Sequence, residues 1–240
     1  MGILKNTCKL LTIFIISLSN YNGFTQDINK FLTDTISVSA DNVPIHKQQH
    51  YFPKEMFPQR MMEFFDMDDG GSSINTTEVE QKYDNQIIEW YSVYLFAMKE
   101  PLLFNKKTDK HSYRFTWLRM YDKPMAIRIE KNGGEYHVYW KMLDGAGGYK
   151  PEALIVEDSK SITEQDWLDF TAFVEKADFL NMELGRDAMA NDKSEWVLEG
   201  NDTTNYRVVR MGAPTEGDFY NACNFLISLT AVPIEEEKKY

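Results

Sequence analysis

The spacing of hydrophobic positions changes several times along the chain, and each change predicts an element. Val79, Tyr83, Ile87, Trp90, Tyr94 and Met98 recur at steps of three and four, which puts them on one face of a helix. Thr76 or Thr77 can cap its start, and Pro101 marks its end. The period then drops to two. In YRFTWLRMY (113–121), Tyr113, Phe115, Trp117 and Tyr121 share a face that Arg119 interrupts. In MAIRIEK (125–131), Met125, Ile127 and Ile129 oppose Ala126, Arg128 and Glu130. In EYHVYWKML (135–143), Tyr136, Val138, Trp140 and Met142 oppose His137, Tyr139 and Lys141. The short links Asp122-Lys123-Pro124 and Asn132-Gly133-Gly134 make these runs an antiparallel meander.

ALIV (153–156) reads as a fourth strand. Thr163 can cap a helix with Trp167, Phe170, Phe173, Val174 and Ala177 on one side. EWVLEG (195–200) and NYRVVRM (205–211) form a second hairpin, and a last helix after Pro214 carries Phe219, Cys223, Leu226, Ile227 and Thr230 inward. The order α-ββββ-α-ββ-α predicts a single α+β domain over residues 76–240. Its antiparallel sheet, a four-strand meander plus a C-terminal hairpin, packs with about three helices, whose apolar sides are expected on one sheet face. Residues 26–75 mix polar residues with Pro44, Pro53 and Pro58 and end in DMDDGGSS, the composition of an irregular arm.

The N-terminus stands apart from this pattern. Lys5 and Lys9 precede the apolar run LLTIFIISL (10–18), and Gly23-Phe24-Thr25 places small residues before Gln26. Residues 1–25 therefore read as a signal peptide, too short in its apolar part to span a membrane. The chain is expected to be exported, to the periplasm or beyond. Cys8 precedes the apolar run, whereas a lipoprotein needs its cysteine after it, so no lipid anchor is expected. Loss of Lys5 and Lys9 takes the net charge from −11 to −13, an acidity that disfavours nucleic acid and anionic membrane as partners. No membrane-spanning segment is expected after the leader. Cys223 is then the one remaining thiol, set in an apolar helical pattern without a basic neighbour and read as a buried small hydrophobe.

Candidate chemistry is sparse. DGAGGY (144–149) lacks the GxGxxG and GK[ST] patterns and leads into a β-like run, so its glycines are read as a corner and not a phosphate cradle. No cofactor is expected. DMDDGGSSINTTE (66–78) places Asp66, Asp68 and Gly71 as in a calcium loop, but position twelve is Thr77 and Glu78 comes one residue late. His46 and His50 have zinc-binding spacing without a helix or third ligand, so no metal site is expected. GxSxG is absent, and no histidine is tied by sequence to a serine. Glu195 and Glu199 share a strand face but stand about 13 Å apart at about 3.3 Å per residue, too far for the usual glycosidase pair.

What remains is a set of polar residues on strands. Arg128, His137, Tyr139 and Lys141 fall on the polar side of adjacent strands, joined by Arg207 and Arg210. Arg119 stands in register with Phe115 and Trp117, so it needs an acidic partner, Glu199 or Asp144, or an anionic ligand. Two readings stay open: internal ion pairs beneath a solvated sheet face, or a cationic patch on that face. FTWLRMYDKPMAIRI, WKMLDGAGGY and EWVLEGNDTTNYRVVRMGAP resemble a family of uncharacterised exported bacterial proteins over roughly residues 110–230. The match includes Asp192, Trp196, Leu198, Glu199, Gly200, Tyr206, Val208, Arg210 and Pro214, with departures at Lys193 and at Met211-Gly212-Ala213. The resemblance implies export and one folded unit and implies no activity.

The expected function is that of an exported, non-enzymatic domain binding a small anionic ligand or a partner protein across its sheet. Arg119, Arg128, His137, Tyr139, Glu199 and Arg210 are the candidate contacts, framed by Trp196 and Tyr206 unless the core consumes them. The alternative is an envelope hydrolase using Glu199 or Asp144 with His137.

Overall fold

A computed structural model describes residues 26–32, 35–56, 76–182, 185–186, 194–212 and 214–234. The expected leader, residues 1–25, and residues 66–75 of the calcium-like stretch 66–78 lie outside them. Among the described residues are three α-helices and six long strands, an α+β fold. Helix α1 (Thr76–Ala97) precedes the meander β2 (His111–Leu118), β3 (Met125–Asn132), β4 (Glu135–Leu143) and β5 (Leu154–Ser161). Helix α2 (Glu164–Lys176), the hairpin β7 (Glu195–Asn201) and β8 (Asn205–Gly212), and helix α3 (Asp218–Ser228) follow. Two short strands complete the sheet, β1 (Gln26–Asp27) and β6 (Gly185–Arg186). Spatial order is β1-β8-β7-β2-β3-β4-β5, with β6 also on β8. The hairpin thus docks through β7 onto β2, closing one sheet from both runs.

Local chemistry explains the helix limits. Thr163 Oγ1 accepts from Asp166 N (3.1 Å) and Asp166 Oδ2 accepts from Thr163 N (2.8 Å), a capping box that starts α2. At the far end of α1, Glu100 N donates to Leu95 O and Lys99 N to Phe96 O, both at 3.0 Å, while Lys99 takes φ 53°. That is a Schellman ending with lysine where glycine is usual.

The sheet is covered on both faces. On the first, Phe115, Trp117, Trp140 and Trp196 pack against Phe170 of α2 and Leu226 of α3 in an apolar core. Cys223 is buried in this layer, and burial pushes its thiol well up. On the second face, α1 contributes Tyr91, Tyr94 and Leu95, and the arm contributes Ile28, Phe31, Tyr51 and Phe52, packed over Leu118, Val197, Tyr206 and Val208. The expectation that all helices share one face is therefore corrected. The six strands carry apolar residues on both sides, and each side needs a cover. The arm has little regular structure, yet its described part is a lid on this second core.

Two strand limits also differ from expectation. β5 continues to Ser161, because beyond Val156 this edge strand is polar and exposed and loses the apolar alternation. β2 stops at Leu118, so Arg119 lies past the strand and Tyr121 is 69% exposed rather than part of its apolar face.

Candidate functional site

Alternation along each strand decides which polar side chains meet. Cα register places Glu199, Arg114, Arg128, Tyr139 and Ser159 in one row across β7, β2, β3, β4 and β5, all on the face beneath α1 and the arm. Ser112, Glu130 and His137 form the neighbouring row. This side is not a solvated surface: Arg114 and Glu199 are fully sealed, and Arg128, Glu130 and Lys141 are buried.

Buried charges have to be paired, and these are. Arg114 Nε donates to Glu199 Oε1 (2.7 Å), and its Nη1 donates to Pro101 O (2.6 Å) and Glu100 Oε2 (3.4 Å). Arg128 Nε donates to the same Glu100 oxygen (3.1 Å), and its Nη1 pairs with Glu130. Lys141 Nζ lies 3.4 Å from Glu100 Oε1 and 3.3 Å from Glu157, and donates to Lys99 O (3.0 Å). Glu100 thus joins three cations. The Schellman ending delivers it there: the left-handed turn at Lys99 sends the next residue down into the sheet.

The two sealed carboxylates differ electrostatically. Burial alone would raise Glu100, but Arg128, Arg114 and Lys141 outweigh it and hold the carboxyl below its usual range. Burial raises Glu199, and one guanidinium with the Tyr206 hydroxyl does not compensate. Tyr206 donates to Glu199 Oε2 at 2.8 Å, and burial drives its own phenol far up.

Above the ionic layer lies a groove of about 1010 Å³, bounded by the arm turn 39–45, the segment following α1 and strands β3 to β5. Asn42 latches two of these walls together, its Nδ2 donating to Leu102 O (2.7 Å) and Asn105 Oδ1 (2.9 Å). Arg128 and Tyr139 line the groove, with the guanidinium 4.3 Å from the ring centroid. Lys99, Lys106 and Lys107 also line it and are exposed. No ion pair joins these three to a carboxylate among the described residues, whereas Lys110 is held by Glu130 at 3.4 Å.

The structure redistributes the sequence-predicted contacts. Arg128 and Tyr139 are in the groove; His137 stands beside them, its ring 6.2 Å from that of Tyr139. Glu199 and Tyr206 share the face but are sealed. Arg210 is buried near Glu195 (3.5 Å). Trp196 lies in the apolar core on the other face, stacked on Tyr220 at 5.6 Å. Arg119 is elsewhere: Nε donates to Lys123 O (2.9 Å), Nη1 to Asp122 (3.2 Å), and the guanidinium covers Trp117 at 4.5 Å. Neither Glu199 nor Asp144 is its partner, for Asp144 pairs with Lys123. Both expectations rested on extending β2 past Leu118.

Glu100, Arg114 and Lys99 escaped sequence reasoning. Arg114 carried a signal, a charge between Tyr113 and Phe115 in the strongest strand pattern; Glu100 carried none beyond its place before Pro101. The glycine loop is a corner. Gly145 takes φ 77°, and Gly147 N donates to Arg119 O (2.7 Å) with no room for a side chain. Trp90 Nε1 donates to Gly147 O (3.1 Å) and Tyr94 OH to Ala146 O (3.1 Å), fixing the loop to α1. Among the described residues no group of three His, Cys, Asp or Glu could hold a metal, and no helix is long and apolar enough to cross a membrane. The chain matches no family model, and no curated protein is detectably similar to it.

Proposed function

We propose that the chain is an exported, non-enzymatic binding domain that takes an anionic ligand, or the carboxylates of a partner, in the groove over strands β3 to β5. The observation that carries this reading is the unpaired lysine set at its mouth, in a chain of net charge −11. Lys99 is the most telling member. Its φ of 53° costs an L-residue about 1 kcal/mol that glycine would not incur, and its side chain lines the groove. A residue held in a strained conformation at a cavity is a pointer to use. Export rests on the leader and on the resemblance to exported bacterial proteins.

Substituting Lys99→Gly separates function from stability. The variant is expected to unfold at higher urea, by about 1 kcal/mol, while capturing immobilised polyglutamate less well at physiological salt. Unchanged capture by Lys99→Gly and by Lys106→Glu together would remove the groove from the reading. One juxtaposition favours the hydrolase alternative: His137 Nε2 lies 3.3 Å from Ser161 Oγ. The pair sits on exposed strand surface, and Glu130, opposite His137, is engaged by Arg128 and Lys110. Glu199 is sealed from any substrate. A Ser161→Ala variant losing esterase activity towards a nitrophenyl ester that the parent hydrolyses would reverse the preference.

A further inference from the structure

The two edges of the sheet are treated differently. At the β8 edge, β1 pairs through Gln26 and Asp27 with Tyr206 and Asn205, and β6 pairs through Gly185 and Arg186 with Arg210 and Met211. At the other edge, no strand among the described residues joins β5, although it is eight residues long, free of proline and exposed over most of its length. Proteins normally blunt such an edge by shortening, bending or covering it, or with charged side chains, of which β5 carries Glu157, Asp158 and Lys160. Here the one irregularity is a register shift near Met142 and Leu143, at the strand's beginning.

The outward groups can be assigned. Ile162 N donates to Tyr136 O (3.0 Å), so in this antiparallel ladder Ile162, Lys160 and Asp158 face β4. The N–H and C=O of Glu157, Ser159 and Ser161 therefore point away from the sheet. The Ser159 N–H agrees, since its acceptor is the exposed Asp158 side chain (2.7 Å) and not β4. Side chains of these three residues lie on the groove face, and Glu157 and Ser159 line the groove itself.

Resting on the groove reading above, we propose that β5 is a strand-addition site for an extended acidic peptide. The peptide main chain pairs with the outward groups of Glu157, Ser159 and Ser161, displacing the exposed Asp158 carboxylate from Ser159 N. Its alternate side chains then project over the groove whose mouth carries Lys99, Lys106 and Lys107. Main-chain bonds supply affinity and the lysines supply choice of sequence. Of the acids lining the groove, Glu157 is held by Lys141 at 3.3 Å and Glu130 by Arg128 and Lys110, which leaves exposed Asp41 and Asp158 against the three lysines.

The probe is a fluorescent peptide alternating glutamate and valine, with a lysine-valine peptide as its counterpart. Anisotropy is expected to rise with the acidic peptide alone, and amide exchange at Glu157, Ser159 and Ser161 is expected to slow in its presence. Ser159→Pro removes one outward N–H without touching the β4 ladder and should weaken binding at least tenfold at unchanged melting temperature. If that variant fails to fold, amide protection in the unsubstituted protein decides. Binding that persists in Ser159→Pro without amide protection, yet vanishes in Lys106→Glu, overturns strand addition and leaves the groove reading standing. No binding of the acidic peptide overturns the proposal, and concurrent failure of polyglutamate capture takes the groove reading with it. Protection of the same amides by self-association at rising concentration assigns the edge to a second copy instead.

Discussion

The two faces of this sheet solve one packing problem with different chemistry. The face under α2 and α3 is a dry stack in which Phe115, Trp117 and Trp196 sit within 6.0 Å of one another by ring centroid. The face under α1 and the arm surrounds an ionic layer with Tyr51, Tyr91, Tyr206 and aliphatic neighbours. The apolar face gains from area removed from water and tolerates repacking at constant volume. The ionic face gains little net energy from its charges, because desolvation offsets attraction, but it penalises the loss of any one partner. An apolar core is forgiving of detail where an ionic one demands a complete set.

Removing Glu100 is the strongest way to break that set. Glu100→Ala leaves Arg114, Arg128 and Lys141 sharing fewer acids, and urea unfolding should report a loss of about 3–5 kcal/mol. Joint replacement of Arg114 by Met and Glu199 by Leu should cost much less than either change alone, and a double-mutant cycle measures the difference. Should the double variant be as unstable as the sum, this layer behaves like the opposite face.

The two sealed carboxylates also predict opposite responses to acid. Glu100 has a folded pKa below its unfolded value, so its contribution is full above the ordinary carboxylate range, near about pH 4.3, and is lost as pH falls through the folded value. Glu199 has a raised folded pKa, so its contribution is present below that range and is lost as pH rises through the folded value. Glu100→Gln should accordingly flatten the acid limb of stability against pH, and Glu199→Gln should steepen it. Two variants with the same limb would erase the distinction.

Smaller effects sharpen the boundary between the layers. Gly147→Ala places a Cβ 2.6 Å from Arg119 O, where backbone must shift, and should cost about 2 kcal/mol in thermal unfolding. Arg119→Met removes hydrogen bonds to Lys123 O and the contact with Asp122, and should cost about 1.5 kcal/mol. Because Arg119 does not line the groove, polyglutamate capture should be unchanged, and a loss of capture would return Arg119 to the site.

Most elements were legible because their evidence is local. The three- and four-step spacing of α1, the two-step runs of β2 to β4 and the Thr163 cap each lie within a few consecutive residues. β5 was cut short for the converse reason: at a sheet edge a strand faces water, and Glu157 to Ser161 carry no apolar period. Within the site, Arg128 and Tyr139 were found from their place on the polar side of adjacent strands. Arg119 was misplaced by carrying the period of β2 past its end, and Trp196 because alternation tells which residues share a side without telling which side faces the groove.

By itself, then, the sequence determined the α+β class, the meander, the hairpin, the glycine corner and the burial of Cys223, all consequences of short-range spacing and steric preference. Tertiary structure alone decided that β7 joins β2, that the arm and α1 roof the polar face, and that Glu100 meets cations from three strands. Those contacts join residues far apart in the chain. Which distant charge meets which is settled by sheet register and by the cost of leaving a charge buried without a partner, and neither leaves a pattern in consecutive residues.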